Sequence, residues 1–269
     1  MFTSNDRAAN YGDGIFTTML VENGAVALFE RHVSRLLSDS SKLRLNVNED
    51  ELRRAIANEV STCESGVLKL LISSGEGGRG YLRGNSTSPG FHFSKHTLPA
   101  SYSKWQQQGV NLGVSDIHLA SQPLLAGSKH LNRLEQVMIK QSLAQTNFDD
   151  VIVCDYDGHV IEASAANLFW CINDMWFTPS VTRAGVAGVM RSFMLDYLTH
   201  QGNHIVICAS AVKELANADT IFMCNSLMKL VPVRTLEWEN TLTEYDQAVV
   251  SRLQQTIESK FKEEYVSFS

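Results

Sequence analysis

In the stretch LLAGSKHLNRLEQ one lysine, Lys129, follows a Gly-Ser pair and precedes a His-Leu-Asn-Arg run. A lysine amine is usually a solvated cation, but when neutral it can attack a carbonyl carbon or carry a proton. The spacing around it supports two readings. If a helix already covers the position, Lys129, Arg133, Gln136 and Lys140 form one polar stripe opposite the apolar Leu131, Leu134 and Met138. If Asn132 is the N-cap, with Glu135 three residues later in a capping-box arrangement, the helix starts after Lys129 and the amine projects from a loop. Periodicity alone leaves both open.

The run GEGGRG (75–80) matches G-x-G-x-x-G through Gly75, Gly77 and Gly80 and follows a strand-like segment. A dinucleotide fingerprint also needs a helix to open there, so that a pyrophosphate meets its N-terminus, and an acidic residue about 20 positions on. YLRGNSTSPG follows instead, full of turn residues, which favours a loop. Its glycines would let backbone approach a ligand, with Arg79 and Tyr81 in reach and the arginine suited to a carboxylate. Elsewhere, Glu162 in VIEASAANLFW reads by itself as a glutamate at a strand end. Arg35 in RHVSRL falls beside the apolar stripe of Phe29, Val33, Leu36 and Leu37.

Elements must hold these residues in place, and the chain is large enough to supply them. Its 269 residues, 44% of them hydrophobic, can bury a core in one large domain or two modest ones. A net charge of -6 with dispersed Lys and Arg offers no footprint for nucleic acid or an anionic membrane, so the expected partner is a small molecule. The five cysteines are odd in number and sit mostly in apolar runs. They read as reduced core residues, with no metal site in their spacing. The polar start MFTSNDRAANYGDG has no apolar leader core, and no apolar run approaches a membrane span, so a soluble cytoplasmic protein is expected.

Strand-like runs cover 14–21, 25–29, 67–74, 91–95, 110–116, 150–155, 167–173, 204–210, 220–225 and 230–236. Helical spacing appears at Phe29–Leu37, at Leu52, Ile56 and Val60, and over 189–201 and 243–262. The pattern predicts an α/β chain of α+β type, its first half an antiparallel sheet with helices on one face. PASYSKWQQQG (99–109) is polar and aperiodic, and 102–109 is the expected linker between domains at 1–101 and 110–269.

SNDRAANYGDGIFTT (4–18), RHVSRL (31–36), GEGGRGY (75–81), LAGSKHLNRLEQ (125–136), VIEASAANLFW (160–170), AGVAGVMR (184–191) and CNSLMKLVPV (224–233) together resemble the fold-type IV pyridoxal-phosphate enzymes. The likeness runs in order from near residue 4 to about residue 236. It is strongest to the lyases of that group, which cleave 4-amino-4-deoxychorismate to 4-aminobenzoate and pyruvate. D-amino acid and branched-chain aminotransferases of the same fold are the nearer rival, and a non-catalytic nucleotide-binding module the more distant one. The resemblance implies a small antiparallel-sheet α/β sandwich, then a larger pseudo-barrel domain with flanking helices that binds the cofactor. It also implies pyridoxal 5'-phosphate and a homodimer. Members of the group usually carry a strand and turn ahead of the Asp-Arg-Ala segment, so the first sheet is expected to lack an edge strand.

By the same resemblance, Lys129 matches the lysine that bonds covalently to the cofactor and then acts as base and acid. Glu162 matches the carboxylate facing the pyridine nitrogen, and Arg35 the arginine on the cofactor phosphate. Val189 and Met190 would grip that phosphate through main-chain N–H groups, Ser226 would present a hydroxyl to it, and Asn132 would help orient the ring. Phe16 and Thr18 would line the substrate side, Thr18 handling protons, while Arg79 and Tyr81 would hold a substrate carboxylate.

Overall fold

A computed structural model describes residues 3–77, 79–84 and 88–268. The described residues gather into two compact units. One takes the chain up to Leu98, together with Ser128–Arg133 and the residues from Phe261 onward; the other takes Pro99–Gly127 and Leu134–Lys260. Lys129 therefore belongs with the N-terminal unit, although it follows the expected linker.

In the first unit the order is α1 (Arg7–Tyr11), β1 (Gly14–Glu22), β2 (Ala25–Ala27), α2 (Phe29–Lys42), α3 (Glu49–Val60), β3 (Gly66–Ser73) and β4 (Gly90–His96). Asp6 caps α1 by accepting from the Ala8 N–H at 2.8 Å, and Asn48 caps α3 by accepting from the Glu51 N–H at 2.9 Å. Glu30 in the first turn of α2 and Lys42 in its last both suit the helix dipole. The strands form an antiparallel sheet in the spatial order C-terminal strand (Tyr265–Ser267), β2, β1, β3, β4. The edge beside β2 is thus occupied by the chain's C-terminal strand. Alternation on β1 sends Ile15, Met19 and Val21 to one face, where they pack with Leu68, Leu70 and Ile72 under Phe29, Val33, Leu36, Leu52 and Ile56. Phe16 and Thr18 point to the opposite, half-buried face.

The second unit opens with a departure from expectation. The polar segment read as a linker is helix α4 (Ser101–Gln108), because Tyr102 and Trp105, three apart, pack on the unit's core while Gln107 and Gln108 stay outside. There follow β5 (Val110–Val114), α5 (Leu134–Leu143), β6 (Asp150–Cys154), β7 (Val160–Ala163), β8 (Asn167–Ile172), β9 (Met175–Pro179), α6 (Val189–His200), β10 (Ile205–Cys208), α7 (Val212–Leu215), β11 (Thr220–Asn225), β12 (Lys229–Trp238), β13 (Thr241–Glu244) and α8 (Ala248–Glu263), whose residues from Phe261 onward count with the first unit. The last helix starts later than its periodicity suggested, since 241–244 pair with β12.

These strands form one mixed sheet in the order β10-β9-β8-β11-β12-β5-β6-β7, with β13 added on β12. β12, β5 and β6 run parallel to one another, and so do β9 and β10. The far edge, β7, returns to β8 through a tight turn in which the Ala163 N–H donates to the Ala166 carbonyl at 2.7 Å. The Val160 N–H reaches the Ser210 carbonyl just after β10, so the sheet curls as the expected pseudo-barrel requires. Its interior is filled by Leu112, Ile152, Leu168, Trp170, Ile221, Met223, Val231 and Val233. On α5 the buried side is Ile139 and Leu143, whereas Leu134 and Met138, expected inside, are 71% and 52% exposed. Among the described residues no helix is long and apolar enough to cross a membrane.

Candidate active site

Lys129 sits in an extended segment that runs beside the start of β1. The Phe16 N–H donates to the Lys129 carbonyl at 2.9 Å, the Leu131 N–H donates to the Gly14 carbonyl at 2.9 Å, and Ile15 bridges His130. Side chains hold the same segment from elsewhere. Asp39 Oδ2 on α2 accepts from the Lys129 N–H at 3.0 Å, and Arg133 donates to the carbonyls of Ser128 at 2.6 Å and His130 at 3.0 Å. A Cβ on Gly14 would lie 2.9 Å from Leu131 and still closer to the Ile72 carbonyl, so only glycine admits this approach. Of the two readings of the Lys129 stretch, the loop ahead of the helix is the one realised, because α5 begins at Leu134.

The amine of Lys129 lies 4.5 Å from the centre of the Phe16 ring, and Thr18 shares that face of β1. On the other face, Arg35 Nη2 donates to Thr17 Oγ1 at 2.7 Å, and Thr17 Oγ1 lies 2.6 Å from His32 Nδ1. Arg35 Nε is buried without a hydrogen-bond partner, although the residue as a whole keeps intermediate exposure. Burial pulls the Arg35 guanidinium down to about 10, with the nearby Asp39 opposing and Arg133 adding to the effect. His130 is lowered to about 4 by burial and by Arg133, Lys129 and Lys42. Asp39 is raised, since burial outweighs its hydrogen bond from Lys129 and the field of Arg35. One carboxylate among so many cations, with an unpartnered guanidinium nitrogen, is an arrangement that attracts an anion.

Within the second unit, Glu162 on β7 is 6% exposed and accepts from the Val186 N–H through Oε2 at 2.9 Å. Gly185, at φ +81°, allows that closeness, for a Cβ there would meet Ile161 at 2.5 Å and Glu162 Oε2 at 3.2 Å. Asn167 Nδ2 donates to the Val186 carbonyl at 2.8 Å and fixes the turn leading into α6. Gly188 caps α6 with no side chain, so the helix opens on bare N–H groups at the buried Val189 and Met190. Ser226 lies in the half-buried β11–β12 turn, where Asn225 Oδ1 accepts from the N–H groups of Leu227 and Met228 at 2.9 Å each.

The capping box offered by Asn132 and Glu135 is not formed, since α5 begins only at Leu134. Asn132 is exposed and its Nδ2 donates to the Gly12 carbonyl at 3.0 Å, tying the Lys129 segment to the end of α1. Glu135, the other half of the supposed capping box, accepts instead from the Ala120 N–H at 2.9 Å. Arg79 and Tyr81 lie in an exposed bend, Tyr81 at 88%, with Tyr81 beside Tyr11 at 5.5 Å between ring centres. The glycine loop is instead gripped by the buried Arg7, which donates to the carbonyls of Gly80 at 3.0 Å and Tyr81 at 2.8 Å. Thr17, His32, Asp39 and Arg133 had no site role assigned from the sequence, Thr17 counting only within a resembling run and Arg133 only in a polar stripe. The i, i+3 and i, i+4 spacing of His32 and Asp39 from Arg35 was the available signal.

The amino-transferase class IV family matches residues 14–236. An aminodeoxychorismate lyase of Vibrio harveyi is 38% identical over 231 residues, 85% of this chain and 84% of that protein. A D-alanine aminotransferase of Bacillus licheniformis is 25% identical over 237 residues, 86% of this chain and 82% of that protein. Among solved structures, the 4-amino-4-deoxychorismate lyase of Pseudomonas aeruginosa superposes with a TM-score of 0.91 at 34% identity, covering 96% of this chain and 95% of that one. A match over most of the length, together with this identity, places the chain: it belongs to the amino-transferase class IV family.

Proposed function

We infer that the protein is a pyridoxal-phosphate-dependent lyase that cleaves 4-amino-4-deoxychorismate to 4-aminobenzoate and pyruvate. The observation that carries this reading is the 38% identity to the Vibrio harveyi aminodeoxychorismate lyase across 85% of the chain. The residues fit the cofactor. By resemblance each unit carries a donor set for a phosphate: in the first, Arg35 with its unpartnered buried Nε, and in the second, the bare N–H groups of Val189 and Met190 with the Ser226 hydroxyl. The buried carboxylate of Glu162 is an acceptor for a protonated ring nitrogen, and Lys129 is the residue for covalent attachment. When bound, the cofactor supplies an electron sink for negative charge developing at the amine-bearing carbon of the substrate.

The chain's own groups do the rest. Glu162 holds a proton on the pyridine nitrogen. Lys129 Nζ takes the proton from the amine-bearing ring carbon and returns one as the enolpyruvyl group leaves, with Thr18 on the same side as a proton carrier. Phe16 walls the space beside the lysine amine. Arg79 and Tyr81 are proposed for a substrate carboxylate and Asn132 for orienting the ring, on resemblance alone. The active protein is proposed to be a cytoplasmic homodimer.

An aminotransferase is the second reading, favoured by the 25% identity to D-alanine aminotransferase. Lys129, Glu162 and Arg35 serve both chemistries. The Thr17–Thr18 pair after Phe16 and the KHLNRLEQ and GGRGY runs resemble the lyases. Incubation with aminodeoxychorismate and no keto-acid acceptor should release 4-aminobenzoate; turnover that requires an acceptor and an amino acid would assign the transaminase reading instead. Purified protein should be yellow, with borohydride fixing the cofactor on Lys129. A colourless protein that takes up no pyridoxal phosphate would rule out both.

A further inference from the structure

We propose that Thr17 and His32 are positioning residues that aim the Arg35 guanidinium at the cofactor phosphate; the proposal rests on the phosphate role assigned to Arg35 above. Thr17 and His32 are both completely buried, and neither belongs to the groups expected to touch cofactor or substrate. His32 and Arg35 are one helical turn apart on α2, so their side chains leave the same flank of the helix and meet the Thr17 hydroxyl on β1. Arginine can only donate, so Thr17 Oγ1 accepts from Arg35 Nη2 at 2.7 Å. The hydroxyl proton is then directed to His32 Nδ1 at 2.6 Å, which requires a neutral imidazole carrying its proton on Nε2. Burial and the charges of Arg35 and Lys129 keep His32 neutral, well below its usual range.

The chain Arg35 to Thr17 to His32 contains no carboxylate, and Arg35 forms no ion pair among the described residues. That choice has a physical consequence. A carboxylate partner would orient the guanidinium but also neutralise it and compete with an incoming phosphate. A hydroxyl backed by a neutral imidazole fixes Nη2 and leaves both the full charge and the unpartnered Nε for the anion. Asp39, one turn further on, contributes its field to Arg35 while its Oδ2 is engaged by the Lys129 N–H.

The test compares pyridoxal phosphate with pyridoxal, which lacks the phosphate, on the cofactor-free full-length chain. Dissociation constants from absorbance titrations give a ratio, pyridoxal over pyridoxal phosphate, that reports phosphate recognition alone. Thr17→Val removes the hydroxyl at nearly constant volume and should lower that ratio roughly tenfold, the cost of ordering one freed side chain at the moment of binding. Binding of pyridoxal should not change, and Thr17→Ser should restore the wild-type ratio. His32→Phe should lower the ratio in the same direction. If Thr17→Val does not fold, Thr17→Ala and His32→Phe carry the comparison. A wild-type ratio in a folded variant lacking the hydroxyl overturns the proposal, and so does equal weakening of both ligands, which would mark a merely structural role. Wild-type protein with no preference for the phosphorylated ligand would instead refute the role of Arg35 itself.

Discussion

At Lys129 backbone and side chain have separate tasks. Its N–H and carbonyl are engaged by Asp39 and Phe16, while the amine lies over the Phe16 ring. Lys129→Ala should therefore abolish turnover, by roughly 10³-fold or more, with only a modest fall in melting temperature because the backbone bonds of the segment remain. Near-normal turnover would refute the assigned role. Glu162→Gln separates charge from hydrogen bonding, because a glutamine oxygen can still accept from the Val186 N–H. It should lower kcat roughly 10²-fold with cofactor still bound, and an unchanged kcat would show that the carboxylate charge is idle. Lys129, Arg35 and Glu162 were legible as candidates because each sits inside a distinctive run of residues. Thr17 and Asp39 were not, since their roles arise from pairings across 18 and 90 positions that no local pattern encodes.

Elements show the same division between local and distant causes. Period-two alternation in β1 and β3 and the apolar stripes of α2 and α3 were readable because each buries one face. Helix α4 was not, for a stretch of glutamines hides an aromatic pair whose burial depends on the rest of its unit. The short α1 also escaped notice, although Asp13 just beyond it joins three elements. Asp13 accepts from Arg7 Nε at 2.9 Å, from Arg83 and from Ser74. Arg83 also donates to the carbonyls after α2, at Leu43 and Arg44. Asp13→Ala would leave the buried Arg7 uncompensated, at a cost of about 3 kcal/mol, so the melting temperature should fall by roughly 6–12 °C. Burial alone would raise the Asp13 carboxyl, but hydrogen bonds from Arg83, Arg7 and Ser74 bring it from 3.8 down to about 2. Its contribution is thus complete above pH 3.8 and lost as pH falls toward 2. Asp13→Ala should be least destabilising, relative to wild type, at the acid end of a pH series of melts; a constant difference would contradict this.

For the whole molecule the contrast is between a net charge of -6 and a local gathering of cations around Lys129. A folded chain that holds Arg35, Arg133, Lys42 and Lys129 near two neutral histidines should resist further protonation there. His32 is held well below 6.5 by burial and by Arg35 and Lys129, and His130 is brought to about 4 by burial, Arg133, Lys129 and Lys42. Below pH 6.5 the unfolded chain binds protons at these two positions that the folded chain refuses, so acid favours unfolding. Asp39, raised above 3.8, acts with the opposite sign, but one carboxyl offsets at most part of two histidines. The cofactor-free protein should accordingly melt at falling temperature from pH 8 to pH 5, before most carboxylates titrate. Inorganic phosphate should raise the melting temperature more than chloride at equal ionic strength, because a multivalent anion bound only by the folded chain stabilises it by mass action and relieves the local repulsion. Despite the negative chain as a whole, that stabilisation should weaken in Arg35→Leu. A flat acid limb, or phosphate and chloride acting alike, would mean that the cluster is already neutralised by groups other than an anion.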